Sequence, residues 1–159
     1  MPKLVIGKAP ASFPLNVKIK TPQGEDEICF EAKHHPATEW AKLREAHVDA
    51  VNKQVSALFD AARKEAENAF EKKADTKALE GDAKEAAIEA LRKPVKDSEI
   101  SVLRAKFAAA LILKIANKWD LEDEFTEPSL VQMCDLYANA PEAIFKAYSE
   151  ALSGARLGN

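Results

Sequence analysis

The sequence is poor in the residues that commonly build reactive sites or phosphate-binding loops. It has only two cysteines, three histidines and five glycines among 159 residues. Cys29 and Cys134 lie far apart and form no CxxC pair, so we expect free, buried thiols in a reducing compartment. Gly7-Lys8 lacks the upstream glycine of a phosphate-binding loop. These scarcities argue against a disulfide framework and against a nucleotide site of that type.

Long apolar runs and an excess of one charge are also missing. The most apolar run, residues 108–116, is about half the length needed to cross a bilayer and contains Lys114. The N-terminus does not resemble a signal peptide. The 23 basic and 26 acidic side chains give a net charge of −3 and are interleaved, whereas nucleic-acid binding needs clustered, uncompensated Lys and Arg. We therefore expect a soluble, cytoplasmic protein with neither membrane nor nucleic acid as its partner.

The histidines do not predict a metal site. His34 and His35 are adjacent, so in a strand they face opposite sides. His47 lies on the apolar side of a predicted helix with no second ligand at helical spacing. Ordinary surface or hydrogen-bonded histidines explain all three better than metal ligands do.

The acidic segment after Trp119 resembles only the start of a calcium loop. Asp120, Glu122 and Glu124 occupy alternate positions, but the positions that require glycine and a second carboxylate hold Phe125 and Val131. A solvated acidic turn is the better interpretation.

No catalytic constellation is present. No serine lies in a nucleophile elbow, and neither cysteine has basic neighbours that would activate a thiolate. Carboxylate pairs such as Glu65 and Glu67 lie on a charged helix, where solvated salt bridges are the norm. The sequence predicts a protein that is not an enzyme and has no cofactor, metal or catalytic residues.

Residues 1–35 have the pattern of an N-terminal β-hairpin. After a short apolar run at residues 4–6, apolar and polar side chains alternate over residues 13–19, the period of a half-buried strand. Thr21-Pro22-Gln23-Gly24 supplies a turn. Because a lone hairpin is marginal in water, its apolar face must pack on helices. The return strand adds three residues to that face: Ile28, Phe30 and Ala32.

Residues 36–118 predict a mainly helical body with one long amphipathic helix. Beyond Ala62 its stripe is mostly alanine, so we expect the second half to be loosely held and able to move or to embrace a partner. We predict a loop or hinge at residues 74–81. The apolar stripe recurs every three or four residues: Trp40, Leu43, His47, Val51, Val55, Leu58, Ala62, Ala66 and Ala69.

The helical pattern continues after the hinge. A short helix at residues 82–92 is ended by Pro94. The following helix is the best candidate for the centre of the core, with an inner face carrying Ile100, Leu103, Phe107, Leu111 and Ile115.

Residues 119–159 add two more helices. Thr126 is suited to cap the first, with Pro128 in its first turn. Asn139 and Glu142 have the spacing of a capping box for the second. The fold is therefore expected to be α+β: one domain over residues 1–159, with the β-hairpin (1–35) packed on the helical body (36–118) and the C-terminal helical segment (119–159).

The last helix carries an apolar stripe that has two explanations. Phe145, Tyr148 and Leu152 are spaced three and four residues apart and so lie on one face. This face either packs on the core helix or is offered to a helix of another protein.

The C-terminal segment resembles the tail assembly chaperones of long-tailed bacteriophages and prophages. The N-terminal Phe13-Pro14-Leu15 strand and the Pro22–Gly24 turn are also similar to the opening of that family. The C-terminal resemblance is carried by these residues: Trp119-Asp120-Leu121, the acidic turn to Phe125, Leu136-Tyr137, residues 140–148 with the Ile144-Phe145 pair, and Arg156-Leu157-Gly158-Asn159.

The resemblance implies binding rather than catalysis. Such proteins are taken to bind the tape measure protein, keep it soluble and help recruit tail tube subunits before they leave the assembly. Self-association stays open. The alternatives are a small structural or accessory virion protein that is retained in the assembly, or an unrelated helical regulator or enzyme.

Overall fold

A computed structural model describes residues 3, 5–7, 9–73 and 78–154. It confirms the predicted α+β class, with an N-terminal antiparallel hairpin and one long helix. The described elements, in chain order, are β1 (Ser12–Thr21), β2 (Gly24–Lys33), α1 (Ala37–Glu71), α2 (Asp82–Leu91), α3 (Asp97–Ile115), β3 (Ala116–Trp119), α4 (Glu127–Leu136) and α5 (Ala140–Leu152).

The hairpin forms where its alternating pattern predicts it. β1 and β2 pair without a break from Ser12↔Lys33 to Thr21↔Gly24, which leaves a two-residue loop. Gly24 has a φ of 145°, a region that favours glycine. The inward side chains of both strands are buried: Leu15, Val17, Ile19, Ile28, Phe30 and Ala32.

The apolar run near the N-terminus does not extend this hairpin. Val5 and Ile6 belong to no strand, and Ile6 is 98% exposed. Leu4 lies outside the described residues. The strand pattern therefore begins only at Ser12.

A third strand was not predicted. β3 follows α3 directly and pairs antiparallel with β2, so the sheet order is β1-β2-β3. The register places Phe30 opposite Trp119 and shifts between Glu31 and Ala32. The helical prediction for residues 36–118 is wrong at this strand, because four residues carry too little periodicity to reveal a pairing made with a distant segment.

The chain forms two compact units, residues 1–48 with 104–159 and residues 49–103. The single domain over residues 1–159 and the hinge at residues 74–81 stay predictions, and residues 74–77 lie outside the described part of the chain. Among the described helices, none is long and apolar enough to span a bilayer.

The first unit has one continuous core beneath the sheet. β1 and β2 contribute their inward side chains, and the helices supply the rest. The largest side chains that are fully buried there come from two strands and three helices: Tyr148, Phe30, Ile19, Ile112, Ile115, Leu130, Ile144 and Val17. The predicted packing of the hairpin on helices is therefore confirmed.

The inner face of α3 is partly different from the predicted one. Leu111 and Ile115 are buried as predicted, whereas Ile100, Leu103 and Phe107 are only partly buried. A Cβ-only side chain lets the backbone approach its neighbours closely, so small residues can take the most enclosed positions. The remaining buried residues of α3 are Ala105, Ala108, Ala109 and Ile112.

The second unit has a much smaller core. Its buried residues are Ala66 and Phe70 of α1 and Ile88 of α2, with Ala87 and Leu91 packed against them. Ala69, which was assigned to the stripe of α1, is exposed, and Phe70 takes the inward position instead.

The two predicted caps of the C-terminal helices have different outcomes. Thr126 Oγ1 accepts a hydrogen bond from Ser129 N at 3.4 Å, which confirms the cap of α4. Asn139 stands at the N-cap of α5, but its side chain makes no capping hydrogen bond. Its backbone is helical (φ −87°, ψ −10°), whereas a capping side chain needs an extended N-cap residue. The predicted capping box is therefore wrong.

We expect Ile112→Ala to lower the free energy of unfolding by about 2–5 kcal/mol, because Ile112 is 0% exposed in the main core. Val102→Ala on the same helix is the control. Val102 is 47% exposed, so its truncation should cost less than about 0.5 kcal/mol. Urea unfolding followed by circular dichroism measures both, and equal losses would contradict the described orientation of α3.

Candidate functional site

The apolar stripe of α5 closes the core of the first unit. Tyr148 is 0% exposed, and its ring stacks on Phe13 at 6.0 Å between ring centroids and meets Trp40 edge-on at 4.8 Å. The Tyr148 hydroxyl donates a hydrogen bond to the carbonyl of Lys33 at 2.7 Å. Burial raises the pKa of Tyr148 to about 12. Tyr148 is thus a core residue and not a surface for a partner.

The other two members of this stripe lie at the edge of the same core. Phe145 is half-buried. The centroid of its ring lies 6.2 Å from that of Trp40 and 5.7 Å from that of His47. Leu152 is also half-buried against the core. Of the two explanations that the sequence left open, core packing accounts for the whole stripe.

The histidines serve the packing of the first unit. His35 is fixed by a hydrogen bond of 2.9 Å between Nε2 and the carbonyl of Lys114, and by a 3.3 Å ion pair of Nδ1 with Glu39. His34 meets the ring of Phe13 edge-on. Among the described residues, no three His, Cys, Asp or Glu side chains are grouped so that they could hold a metal ion.

The acidic turn after β3 is fastened to the sheet. Asp120 Oδ1 accepts a hydrogen bond from Cys29 N at 2.9 Å, and Asp120 N donates to the Cys29 carbonyl at 3.1 Å. The indole of Trp119 donates to the carbonyl of Asp123 at 2.6 Å. The first carboxylate of the turn therefore extends the pairing between β2 and β3.

The two cysteines lie in different surroundings. Cys134 is buried in α4, and burial raises its pKa to about 12, so the thiol stays protonated at neutral pH. Cys29 is partly exposed on β2. Both are free thiols.

The sheet carries a shallow groove of about 370 Å³ that crosses all three strands. Lys118 Nζ and Glu31 Oε2 form an ion pair of 2.9 Å there, and the hydrogen bond from Lys118 lowers the pKa of Glu31. Glu31 also accepts side-chain hydrogen bonds from Asn117 and Ser12, which lower its pKa further. Its lining residues are Ser12, Phe13, Pro14, Cys29, Phe30, Glu31, Lys118, Trp119 and Asp120.

The second unit exposes an apolar surface along α1. On α1, Phe59 is 42% exposed, and Val55 and Ala62 are half-buried outside the small core. The stripe then continues to Ala66 and Phe70, which are covered. We call these five residues the α1 stripe.

The α1 stripe turns slowly around its helix. Three of its four steps are four residues long, and each such step advances the stripe by about 40°. This drift explains why the sequence prediction chose Ala69 over Phe70 and did not include Phe59. Steps of four, three, four and four residues from Val55 reach both phenylalanines.

Charged side chains fasten α2 beside the covered end of the α1 stripe. Arg63 Nη2 donates to both carboxylate oxygens of Glu85, at 3.2 Å and 3.0 Å, and Arg63 Nε donates to Glu67 at 3.0 Å. Lys84 Nζ lies 5.9 Å from the ring centroid of Phe70. The hydrogen bond to Glu67 and the neighbouring carboxylates raise the pKa of Arg63. Arg63 and Glu85 thus form an exposed, bidentate ion pair beside the small apolar core of the second unit.

The geometry thus offers apolar and charged contact surface. The sequence model of the phage tail assembly chaperones matches residues 1–159. The chain belongs to that family. No curated protein and no solved structure matches it significantly.

Most of the residues that carry the family resemblance hold the fold together. Trp119 packs on Phe30 and Phe125, and Ile144 is buried in the core. Leu121 and Leu136 are exceptions, because they are 37% and 65% exposed. The terminal Arg156-Leu157-Gly158-Asn159 lies outside the described residues.

We expect Tyr148→Phe to lower the free energy of unfolding by about 1–2 kcal/mol, because the Lys33 carbonyl loses its donor at an enclosed site. Phe145→Ala should cost about 2 kcal/mol, less than the ~3–5 kcal/mol of a fully buried Phe. Urea titration checks both. Unchanged stability of Phe145→Ala would assign its ring to a partner surface instead.

The stability of this family member should fall as the pH is lowered from 7 to 5. Burial lowers the pKa of His47 below its ordinary 6.5, the nearby charge of Lys114 acts in the same direction, and a hydrogen bond with the Phe107 backbone opposes them. The unfolded chain therefore binds the proton first, so stability rises with pH between the folded pKa and 6.5.

His47→Gln should flatten this part of the stability curve, measured as urea midpoints at several pH values. The same substitution at exposed His34 is the control and should leave the slope in place. A slope that persists in His47→Gln would contradict the assignment.

Proposed function

We propose that this protein is a non-catalytic tail assembly chaperone that binds the tape measure protein, keeps it soluble and assists assembly of the tail tube in the host cytoplasm. The observation that carries the proposal is the match of the family model over residues 1–159. The tail tube protein is a further expected partner.

The surface of the second unit supports a binding role. A long helical client needs many weak contacts that can be released when the tail assembles. The exposed part of the α1 stripe, Val55 to Ala62, offers apolar contacts of this kind on a long helix. Nearby charged side chains such as Arg63 and Glu67 keep the rest of that surface solvated.

Co-expression with the tape measure protein of the same phage or prophage tests the proposal. We expect this chain to move the tape measure protein from the insoluble to the soluble fraction and to co-purify with it. A tape measure protein that stays insoluble would contradict the proposed function. Recovery of this chain in purified virions would favour a structural protein that is retained.

A matched pair of variants locates the contact. Phe59→Asp places a charge in the exposed stripe and should reduce the soluble yield roughly fivefold or more, as expected for a central apolar contact. Leu136→Asp changes an even more exposed side chain in the first unit and should leave the yield unchanged. Equal effects of the two variants would contradict the assignment of the α1 stripe.

A further inference from the structure

Helix α2 covers one end of the α1 stripe. Ile88 is 5% exposed and lies with Ala66 and Phe70 in the small core, and Ala87 and Leu91 pack against it. Because α2 is amphipathic and rests on an apolar face of α1, this face already accepts an amphipathic helix. The seated helix shows the chemistry that the face takes: small and aliphatic side chains, with a carboxylate at Arg63.

Among the described residues, few interactions hold α2 on α1. The helix has ten residues, shorter than the length at which an isolated helix is stable in water. Only one of its side chains, Ile88, is buried. Its ion pair with Arg63 is exposed, with Arg63 at 52% and Glu85 at 61% side-chain accessibility, and such pairs contribute little. Segments with few buried contacts open locally at low free energy.

Release of α2 would lengthen the exposed apolar surface of α1. With α2 seated, the stripe is exposed or half-buried from Val55 to Ala62 and covered at Ala66 and Phe70. Without α2 the stripe would run from Val55 to Phe70 on one face, roughly 22 Å at the rise of an α-helix.

We propose that α2 is an internal occupant of the client site, which an amphipathic helix of the tape measure protein displaces. The client helix takes the place of Ala87, Ile88 and Leu91 on α1, and its carboxylate takes the place of Glu85 at Arg63. This inference rests on the proposed function. It names the docking surface, the chemistry of the segment that fits it, and an internal helix that weakens binding until a matching client arrives.

The apparent affinity for the client therefore depends on the fraction of molecules in which α2 is released from α1. A protein whose competent state is only partly populated binds with an affinity reduced by that fraction. Removal of the Glu85 carboxylate should therefore tighten binding of the client, even though the free protein loses its ion pair with Arg63. If α2 had a purely structural role, Glu85→Gln would give no gain in affinity.

Glu85→Gln in the full chain tests this expectation, with the co-purified tape measure protein as the probe. We expect the variant to bind about two- to fivefold more tightly, the range that one exposed ion pair can supply. The Arg63–Glu85 ion pair is the latch that holds α2 on α1. Arg63→Gln should show no gain in affinity, because it removes this latch and also the cation that binds the client carboxylate.

Two controls separate the latch from general effects on α2. Glu89→Gln removes the 2.8 Å ion pair with Arg92 within the same stretch but makes no contact with Arg63. Asp82→Asn matches the other effect of Glu85→Gln, the loss of a first-turn carboxylate that favours the helix dipole of α2. Glu89→Gln should leave the affinity unchanged, and Asp82→Asn should give a smaller gain than Glu85→Gln. A gain as large as that of Glu85→Gln in either control would overturn the latch.

Hydrogen exchange on the complex gives the second measurement. Binding should speed exchange of residues 82–91 by tenfold or more while it slows exchange of residues 55–70. If the complex forms but α2 is unchanged or protected, or if Glu85→Gln binds equally or more weakly, the inference is wrong and the proposed function stands. If no complex forms, both are wrong.

Discussion

Tyr148 is the residue on which the first unit depends. Its ring stacks on Phe13 of β1 and meets Trp40 of α1 edge-on, and its hydroxyl donates to the Lys33 carbonyl at the end of β2. A two-stranded hairpin has too little buried surface to be stable alone, so a helix must cover its apolar face. Trp40 adds a hydrogen bond of 2.8 Å to Ser149, which fixes α5 and the start of α1 together. One aromatic residue thus joins two strands and two helices.

The parts of the fold that follow from local patterns could be predicted from the sequence. The alternation over residues 13–19 and the Pro-Gln-Gly turn define the hairpin and its register because both signals are local. Thr126 capped α4 for the same reason. The unpredicted features depend on distant segments. β3 exists because β2 offers a pairing partner about ninety positions earlier in the sequence. The buried alanines of α3 depend on how close the neighbouring elements approach, which hydrophobicity does not encode.

The candidate site could be predicted only in part, and the reason is again physical. The alanine content of the second half of α1 predicts a loosely held segment, which stays a prediction, and this half contains the small core of the second unit. The stripe on α5 was equally visible, but a helical stripe has the same spacing whether it faces a core or a partner. Only the contacts of Phe145 with Trp40 and His47 decide the matter. The packing of α2 on α1 could not be predicted, because the sequence of one helix does not show which of its faces the other helix covers.

The two units use aromatic and apolar side chains for different purposes. In the first unit, aromatic residues such as Trp119, Phe30 and Tyr148 are enclosed by several elements, so truncating one leaves a cavity that its neighbours cannot fill. In the second unit, Phe59 is 42% exposed, and Phe70 lies in a small core with Ile88, the one buried side chain of α2. The residues that carry the family resemblance lie mostly in the first unit, where they stabilise the fold. A chaperone must bind its client and later release it, so its contacts need to be individually weak. On the proposed function, the exposed apolar side chains of the second unit supply contacts of this kind.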